Sequence, residues 1–306
     1  YVVDGHSMPI TGRAGIAETT AADASPESLL RSATIALGWA GRPHAGPVAV
    51  FDPDRNRVDV RRHELAAAMP GALDDGQFVL HFQPVVDLLD HRTAGLEALA
   101  RWRLPATGLL PPAEFVHLAE RTGLIRPLGA HLLEAACARG AEWHPSGVFV
   151  SVNLSPVQLA DPGLVATVAA ALDRTGLLPS RLQLELTGDA ALAGHRDTLR
   201  GLADLGVRLA VDDFGAGFSG LADLAELPVS AVKLAPRFLR ALDGPDDPTL
   251  LAGVIRLCHD LGITVTAVGI ETDAQAAALR RLTCDLGQGF RFAHPAPASD
   301  ITHLLG

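Results

Sequence analysis

The chain has 306 residues, of which 48% are hydrophobic and 5% aromatic, and its formal net charge is −10. This composition is typical of a globular α/β protein, and the acidic balance excludes a broad basic surface for duplex nucleic acid or an anionic membrane. The three cysteines form no C-x-x-C pair, which argues against a zinc site or a disulfide framework and indicates a reducing, cytoplasmic compartment. No apolar run approaches the roughly 20 residues that cross a bilayer, so we expect no membrane segment within the chain. Because the chain starts with Tyr1 rather than Met, we expect it to be a piece of a longer protein with upstream segments.

Residues 1–52 predict a strand, a helix and a second strand. The helix is expected to begin after Ser25, a favourable N-cap residue that Pro26 follows, and to carry an apolar stripe through residues 29–37. These pieces are too few for an independent core, so they predict the end of a domain whose beginning is missing. Residues 53–75 are expected to join this fragment to the next domain. The remaining signals are a helix stop at Gly41-Arg42-Pro43, a strand at Val48–Phe51, a polar connector at Asp52–Asp59 and the start of a linking helix at Arg61–Ala68.

Short apolar runs alternate with helical stretches from residue 76 onward. Repeated β–α units imply parallel strands, and seven or eight of them in roughly 230 residues fit a closed barrel. We therefore predict an α/β fold in which a TIM-like (β/α)8 barrel, residues 76–306, follows a short α/β fragment. The predicted strands are Phe78–Pro84, Thr93–Trp102, Val148–Leu154, Leu182–Leu186, Val207–Val211, Val229–Leu234 and Ile263–Val268. The predicted helices are Arg126–Trp143, Pro162–Thr175, His195–Leu205, Pro248–Leu261 and Asp273–Arg281.

Polar side chains recur near the ends of the predicted strands. The carboxyl ends of parallel barrel strands converge on one face, where active sites lie. Carboxylate and amide ligands without His or Cys select hard cations such as Mg²⁺ or Mn²⁺. The adjacent Asp212 and Asp213 would let one carboxylate bridge two ions, an arrangement that suits phosphodiester displacement. The residues concerned are Glu97, Asn153, Glu185, Asp212, Asp213, Lys233 and Glu271.

A competing motif lies between the fifth and sixth predicted strands. Residues 215–220 match G-x-G-x-x-G after a strand, which is the context of a dinucleotide-binding turn in oxidoreductases. Asp212 and Asp213 stand directly before it and would repel a pyrophosphate. The next strand ends in Lys233 and Ala235, with no acidic residue for a ribose hydroxyl. We therefore reject the oxidoreductase interpretation and expect the glycines to form a mobile lid beside a metal site.

The segment Leu96–Trp102, with the sequence Leu-Glu-Ala-Leu-Ala-Arg-Trp, closely resembles the motif that names the EAL domain. Members of that family are cyclic di-GMP phosphodiesterases or degenerate relatives that only bind the dinucleotide. The resemblance extends in order over nearly all of residues 76–306. Its further motifs are Phe82-Gln83-Pro84, Pro112-Ala113-Glu114-Phe115, Ala119-Glu120, Val152-Asn153-Leu154-Ser155, Leu184-Glu185-Leu186-Thr187, Asp212-Asp213-Phe214-Gly215, Lys233, Gly287-Gln288-Gly289-Phe290 and Pro295.

The resemblance implies a role for each matching residue. It assigns Lys233, with Asp213 and Glu271, to the catalytic machinery, where the lysine faces the attacking water and a phosphate oxygen. It also implies that Asp212 and Asp213 serve a second metal. Arg101 would bind a phosphate oxygen. The implied ligands of the first Mg²⁺ or Mn²⁺ are Glu97, Asn153, Glu185 and Asp212, and the implied nucleotide pocket includes Gln83, Gln288 and Pro295.

The sequence also departs from the family pattern at positions that bear on catalysis. Val268 replaces a glutamate that the family uses at the second metal and the attacking water. Gly188 replaces a glutamate that braces the lid, and Ala235 replaces a further carboxylate. In the lid, Phe218 and Gly220 replace a tyrosine and a serine. Since valine neither ligates a metal nor accepts a proton, we expect hydrolysis to be weak or absent, while the first metal site and the dinucleotide pocket survive.

The fragment before the barrel resembles the tail of a GGDEF domain, the diguanylate cyclase domain that often precedes EAL. Gly15-Ile16-Ala17 and Leu29-Leu30-Arg31-Ser32-Ala33 carry this likeness, whereas the GGDEF signature itself is absent. No cyclase activity is therefore expected. The alternative is an unrelated strand–helix segment.

Three functions stay open at this stage. The first is a degenerate EAL module that binds cyclic di-GMP as a receptor or regulator. The second is a working phosphodiesterase that yields the linear dinucleotide pGpG. The third is a protein-interaction domain without nucleotide binding. Retention of Gln83, Arg101 and Gln288 favours dinucleotide binding, and Val268 favours the receptor over the enzyme. Because EAL barrels commonly pair around the lid, the resemblance also implies a homodimer through that region.

Overall fold

The computed structural model describes two compact units, Tyr1–Ala68 and Met69–Gly306. The described residues are 2–3, 6–7, 11–20, 25–42, 45–105, 107–187, 194–215, 224–242 and 248–305. Within these residues, no helix combines the length and the apolar character that are needed to cross a membrane.

The first unit contains the predicted strand, helix and strand. Ser25 caps the helix, since its hydroxyl oxygen accepts the backbone N–H of Ser28 at 3.2 Å, and Pro26 is the first helical residue. The helix ends one residue before its cap, Ala40, and Gly41 follows with a φ of 76°. A short antiparallel pair near the start, β1 with β2, was not predicted. The elements are β1 (Val2–Val3), β2 (His6–Ser7), β3 (Ala14–Ile16), α1 (Pro26–Trp39) and β4 (Val48–Val50), of which β3 and β4 are parallel.

The prediction of a polar connector at residues 52–59 is wrong, because helix α2 extends from Pro53 to Asp74. The carboxylate of Asp52 accepts the backbone N–H groups of Asp54 at 2.8 Å and Arg55 at 3.3 Å, which caps the first turn. Proline suits the first turn because it has no N–H to leave unsatisfied. The polar composition therefore belongs to an exposed helix, and the predicted linking helix at residues 61–68 is its middle.

The second unit is an α/β barrel. Eight strands form a closed ring, in which six neighbouring pairs are parallel and the first strand pairs with both the second and the last. The fold prediction of a TIM-like barrel is confirmed. The strands are β5 (Phe78–Asp87), β6 (Thr93–Leu104), β7 (Gly108–Leu110), β8 (Phe149–Asn153), β9 (Leu182–Thr187), β10 (Arg208–Phe214), β11 (Ala231–Leu234), β12 (Thr264–Val268) and β13 (Leu286–Gln288).

Helices cover the outside of this barrel. All five predicted helices are present, and α3, α5 and α10 are additional. Strand β7, which forms a hairpin with β6, and the three-residue β13 were not predicted, because neither is a long apolar run. The helices are α3 (Pro112–Thr122), α4 (Ile125–Glu142), α5 (Pro156–Leu159), α6 (Leu164–Thr175), α7 (Arg196–Asp204), α8 (Thr249–Asp260), α9 (Asp273–Arg281) and α10 (Ala298–Ile301), with 3-10 turns at His144–Ser146, Pro179–Arg181, Pro236–Leu242 and Thr302–Leu305.

The expectation that all barrel strands are parallel is wrong for β5, which is antiparallel to β6 and β13. A parallel connection needs a dozen or more residues, and the tight turn from Asp87 to Thr93 is too short for one. The Asp87 carboxylate closes this turn by accepting the N–H groups of Leu89 at 2.7 Å and Asp90 at 3.3 Å. As a result, Gln83 lies directly opposite Glu97 in the β5–β6 pair.

The barrel strands alternate between an apolar outer face and a polar inner face. Leu96 and Leu184 are fully buried in one core cluster with Val168 of α6, and Val211 shares a second cluster with Ile255 of α8. Among the described residues, the buried polar side chains other than Gln158 and Gln275, which cap helices, all belong to barrel strands. A polar cluster therefore occupies the inside of the barrel.

Candidate functional site

Five of the predicted site residues converge inside the barrel from five strands. Glu97 comes from β6, Asn153 from β8, Glu185 from β9, Asp212 from β10 and Lys233 from β11. Asn153 and Glu185 are partners across the β8–β9 pair, which sets them side by side at the carboxyl end of the barrel. Glu97, Glu185 and Lys233 are at most 6% exposed, whereas Asn153 is exposed at the barrel mouth.

Lys233 lies at the centre of this cluster. Its Nζ donates to Glu97 Oε2 and to Glu185 Oε2, each at 2.7 Å, and lies 3.9 Å from Asp212 Oδ1. One ammonium thus faces three carboxylates, so the cluster carries a surplus of negative charge when all of them are ionised. Since Lys233 is 2% exposed, water screens these interactions little.

Amide side chains donate the other hydrogen bonds to Glu97. Asn153 Nδ2 donates to Glu97 Oε1 at 2.7 Å, and Gln288 Nε2 donates to Glu97 Oε2 at 2.6 Å. Gln288 Nε2 also donates to Gln83 Oε1 at 3.1 Å, and Gln83 Nε2 donates to the carbonyl oxygen of Ala293 at 3.0 Å. The two glutamines of the predicted nucleotide pocket are therefore joined to the carboxylate cluster, and they fix the segment after β13 at the barrel mouth.

The carboxylates of the cluster differ in their acidity. Burial opposes ionisation of Glu97, but the Lys233 ammonium and three hydrogen bonds outweigh it, so the pKa of Glu97 lies below its usual value. Burial raises the pKa of Glu185 to about 7, against the attraction of Lys233, and repulsion from Glu97 and Asp212 adds to the rise. Burial likewise raises the pKa of Asp212. The same carboxylates hold the pKa of Lys233 above its ordinary value in spite of burial, so the lysine is charged.

Asp212 and Asp213 lie at a β-bulge. The register between β10 and β11 shifts between Val211 and Phe214, and Asp213 has a φ of 51°, in the left-handed region that aspartate tolerates better than most residues. Bulges are frequent at barrel rims beside active sites, where they redirect side chains. At this bulge the two consecutive aspartates differ in exposure, since Asp212 is half-buried and Asp213 is exposed.

Three predicted residues take no part in the hydrogen bonds of the cluster that the described residues show. Glu271 is exposed after β12, and its backbone N–H donates to Gln275 Oε1 at 2.8 Å. Arg101 is half-buried on β6, four residues beyond Glu97, and its Nη1 donates to the carbonyl oxygen of Ala100 at 2.8 Å. Pro295, also half-buried, follows β13 and offers its carbonyl oxygen to the ring of His81. Their assigned roles remain predictions.

The residues that were predicted to depart from the family pattern fall in two places. Val268, half-buried at the end of β12, is the register partner of Gln288, and Ala235 is buried directly after β11. Both positions therefore adjoin the carboxyl end of the barrel. Gly188, Phe218 and Gly220 lie outside the described residues, as does the predicted lid beyond Gly215.

The donor set suits a hard divalent cation in its chemistry. Glu97, Glu185 and Asp212 supply carboxylate oxygens, Asn153 supplies an amide oxygen, and the buried Gln288 Oε1 has no hydrogen-bond partner among the described residues. The charge surplus around Lys233 also favours an added cation. These side chains nevertheless bind one another and Lys233, and within the described ranges no set of three or more His, Cys, Asp or Glu side chains is preassembled as a metal site.

The sequence reasoning missed two residues beneath this cluster. Ser151 on β8 donates its hydroxyl to Glu185 Oε1, and Gln183 Nε2 donates to both Ser151 Oγ and Glu185 Oε1 at 3.3 Å. Both are buried. Strand alternation was the available signal, because each residue precedes an inward-facing site residue by two positions, Asn153 and Glu185 respectively.

Comparison with known proteins shows which family the chain resembles. Residues 66–295 match the family described as EAL domain. An uncharacterized protein of Mycobacterium tuberculosis is 43% identical over 265 residues, which cover 83% of this chain and 86% of that protein. MucR of Pseudomonas aeruginosa, a bifunctional diguanylate cyclase/cyclic di-GMP phosphodiesterase, is 34% identical over 98% of this chain and 45% of its own length. The structure of the MucR phosphodiesterase in complex with c-di-GMP superposes with a TM-score of 0.74 at 38% identity, covering 78% of this chain and 99% of the solved one.

Proposed function

We propose that this chain, which belongs to the EAL-domain family, binds cyclic di-GMP as a receptor or regulator and hydrolyses it weakly or not at all. The observation that supports weak hydrolysis is the presence of valine at position 268. Val268 stands next to Gln288 at the end of β12, where a side chain can reach the barrel mouth, and it offers neither an oxygen ligand nor a base. A general base alone contributes about 10²–10⁴ in rate.

Binding is supported by the residues that remain. Gln83 and Gln288 are buried and hydrogen-bonded to each other, and Gln288 also donates to Glu97, so these bonds hold both amides in place beside the cluster. A family member with 38% identity is known in complex with c-di-GMP. Arg101, on the same face of β6 as Glu97, is the cation that we expect to meet a phosphate oxygen.

We propose that one Mg²⁺ or Mn²⁺ binds through Glu97, Asn153, Glu185 and Asp212. When bound, such an ion neutralises phosphate charge and polarises the phosphodiester. Lys233 keeps Glu97 and Glu185 close together until then. A second ion at Asp212 and Asp213 is disfavoured, because Val268 and Ala235 bring no oxygen to that side of the barrel. In the sequence-based assignment, the acidic residue that remains near this second ion is Glu271.

An active phosphodiesterase is the second candidate. The predicted ligands of the first ion are all present, and Lys233, which the family resemblance assigns to catalysis, lies among them. A protein-interaction domain without nucleotide binding is the third candidate. The buried Gln83–Gln288 pair beside Glu97 favours nucleotide binding over it, because the family resemblance assigns both glutamines to the nucleotide pocket.

We further propose that the first unit is the C-terminal remnant of a GGDEF-like domain. The EAL match begins at residue 66, whereas the bifunctional P. aeruginosa relative aligns with 98% of the chain and therefore extends into the first unit. The chain spans less than half of that relative's length. A homodimer through the lid region is a further proposal, to be tested by sedimentation of the 306-residue chain with and without cyclic di-GMP.

Titration calorimetry of cyclic di-GMP into the whole chain, with Mg²⁺, Mn²⁺, Ca²⁺ or EDTA, tests the main proposal when the products are resolved by chromatography. We expect binding without accumulation of pGpG. Ordinary turnover with Mg²⁺ or Mn²⁺ would establish the phosphodiesterase instead. The absence of both binding and turnover would favour the third candidate, the protein-interaction domain.

The variant Val268→Glu tests whether this one position accounts for weak hydrolysis. We expect hydrolysis to rise in Val268→Glu and to stay low in Val268→Gln, which adds a polar side chain of the same length without a carboxylate. The gain should fall short of a full rescue because Ala235 and Gly188 are unchanged. Equal rates in both variants would show that another position limits the reaction.

A further inference from the structure

Two buried side chains under the carboxylate cluster contact Glu185 from below. Ser151 is 0% exposed and Gln183 is 3% exposed. The hydroxyl of Ser151 donates to Glu185 Oε1, and Gln183 Nε2 lies 3.3 Å from both Ser151 Oγ and Glu185 Oε1. Both donors therefore meet the same oxygen of the same carboxylate, on the side away from the barrel mouth.

The two carboxylate oxygens of Glu185 therefore have different hydrogen-bond partners. Oε1 accepts the hydrogen bonds from Ser151 and Gln183, whereas Oε2 accepts one from Lys233 Nζ at 2.7 Å. The terminal torsion of a glutamate side chain is broad when nothing fixes it. Glu185 is 1% exposed, so water cannot supply the missing donors. The Ser151–Gln183 pair decides which oxygen the carboxylate presents to the site.

We propose that Ser151 and Gln183 are positioning residues, which orient Glu185 for a divalent cation and set the affinity of the site for it. This inference rests on the cation site proposed above. Groups that orient a metal ligand from behind typically change metal affinity by about 10–100-fold when they are removed. Neither residue touches the dinucleotide in this arrangement, because Glu185 and the cluster lie between them and the barrel mouth.

A substitution at Gln183 can distinguish an effect on cation affinity from an effect on stability. Gln183 Oε1 is buried without a hydrogen-bond partner among the described residues. The substitution Gln183→Met keeps the length of the side chain and removes both the donor and this unsatisfied carbonyl. Stability is therefore expected to stay the same or to rise, whereas cation affinity should fall. A purely structural role would change the two quantities together.

The experiment measures Mn²⁺ binding to the whole 306-residue chain by titration calorimetry without nucleotide, together with the midpoint of thermal unfolding. We expect Ser151→Ala and Gln183→Met each to weaken Mn²⁺ binding by about 10–100-fold. Thr266→Val is the matched control, since Thr266 is 3% exposed on β12 of the same barrel and donates none of the hydrogen bonds seen at Glu185. Its Mn²⁺ affinity should equal that of the unmodified chain.

The outcomes separate this inference from the proposed function. Unchanged Mn²⁺ affinity in both variants, or an unmodified chain that binds no Mn²⁺, overturns the positioning role. An equal loss in Thr266→Val also overturns it, because the effect would then come from disturbing the barrel. If the Mn²⁺ losses occur as expected but cyclic di-GMP does not bind, the positioning role stands and the receptor function fails.

Discussion

Replacing Lys233 with methionine removes the cation on which the carboxylates of the barrel depend. Lys233 Nζ lies 2.7 Å from an oxygen of Glu97 and 2.7 Å from an oxygen of Glu185, and all three side chains are buried. Methionine keeps most of the apolar stem, so packing changes little. Breaking a buried ion pair from one side costs about 3–5 kcal/mol, because the remaining charge is left uncompensated. We expect a loss of that size at pH 8.

The loss should be smaller at acidic pH. Burial raises the pKa of Glu185 to about 7 even with Lys233 present, and removing the ammonium raises it further. A carboxyl whose folded-state pKa exceeds its unfolded value loses stability as the pH rises between those two values. The variant therefore approaches the unmodified chain near pH 5, where Glu185 is protonated in the folded state, and falls furthest below it at pH 8.

Thermal unfolding followed by circular dichroism at pH 5 and pH 8 measures this difference. A loss of 3–5 kcal/mol corresponds to a fall of about 6–20 °C in Tm for a domain of this size. The double variant Lys233→Met/Glu185→Gln is the matched control, and it should recover part of the loss because it removes one of the two carboxylate charges that lose their cation. A Lys233→Met variant within about 1 kcal/mol of the unmodified chain at both pH values would refute the reasoning.

Other predictions concern parts of the chain away from this lysine. Replacing Asp213, whose φ is 51°, with alanine should cost about 1–2 kcal/mol more than replacing it with glycine, measured by urea unfolding. Gly15→Ala should loosen the first unit by about 1–3 kcal/mol, seen as faster hydrogen exchange in α1, because a Cβ would lie 2.1 Å from the carbonyl oxygen of Ala33. Thiol reagents at pH 8 should label almost no cysteine in the folded chain and all three in urea, since the thiols are buried and burial raises their pKa values to about 12, 11 and 12 at Cys137, Cys258 and Cys284.

The barrel and the main cluster were accessible from the sequence because two regular signals coincide. Apolar runs mark the strands, and polar residues interrupt them near their carboxyl ends, so Asn153, Glu185 and Lys233 converge in any closed parallel arrangement. The same logic failed for β5, where the direction of the strand depends on the length of a turn. The spacing between the runs that end at Pro84 and begin at Thr93 already excluded a parallel crossover. That spacing also sets Gln83 opposite Glu97.

Hydrogen-bond partners inside the barrel could not be predicted in this way. Strand alternation indicates that Ser151 and Gln183 face inward, but it does not say that both donate to one oxygen of Glu185. Nor does it give the ionisation of the cluster, which depends on burial. Glu97 and Glu185 have the same side chain and share Lys233, yet the pKa of Glu97 falls and that of Glu185 rises. Burial raises the pKa of both carboxyl groups, but at Glu97 the Lys233 ammonium and the hydrogen bonds from Lys233, Gln288 and Asn153 outweigh it, whereas at Glu185 burial prevails and repulsion from Glu97 and Asp212 adds to it.

This asymmetry bears on how the barrel would admit a cation. Lys233 compensates one carboxylate charge fully, and Glu97 is the carboxylate that the surrounding donors keep ionised. When Glu185 and Asp212 are ionised as well, their charges exceed what the single Lys233 ammonium compensates. In the proposed cation site, Glu185 and Asp212 lie on the side of the cluster nearest β10, and an ion that approached them there would leave the hydrogen bond between Lys233 and Glu97 in place. Val268 lies on β12, across β11 from that side, so under the proposed assignment the lack of a carboxylate at this position would affect a second ion more than the first.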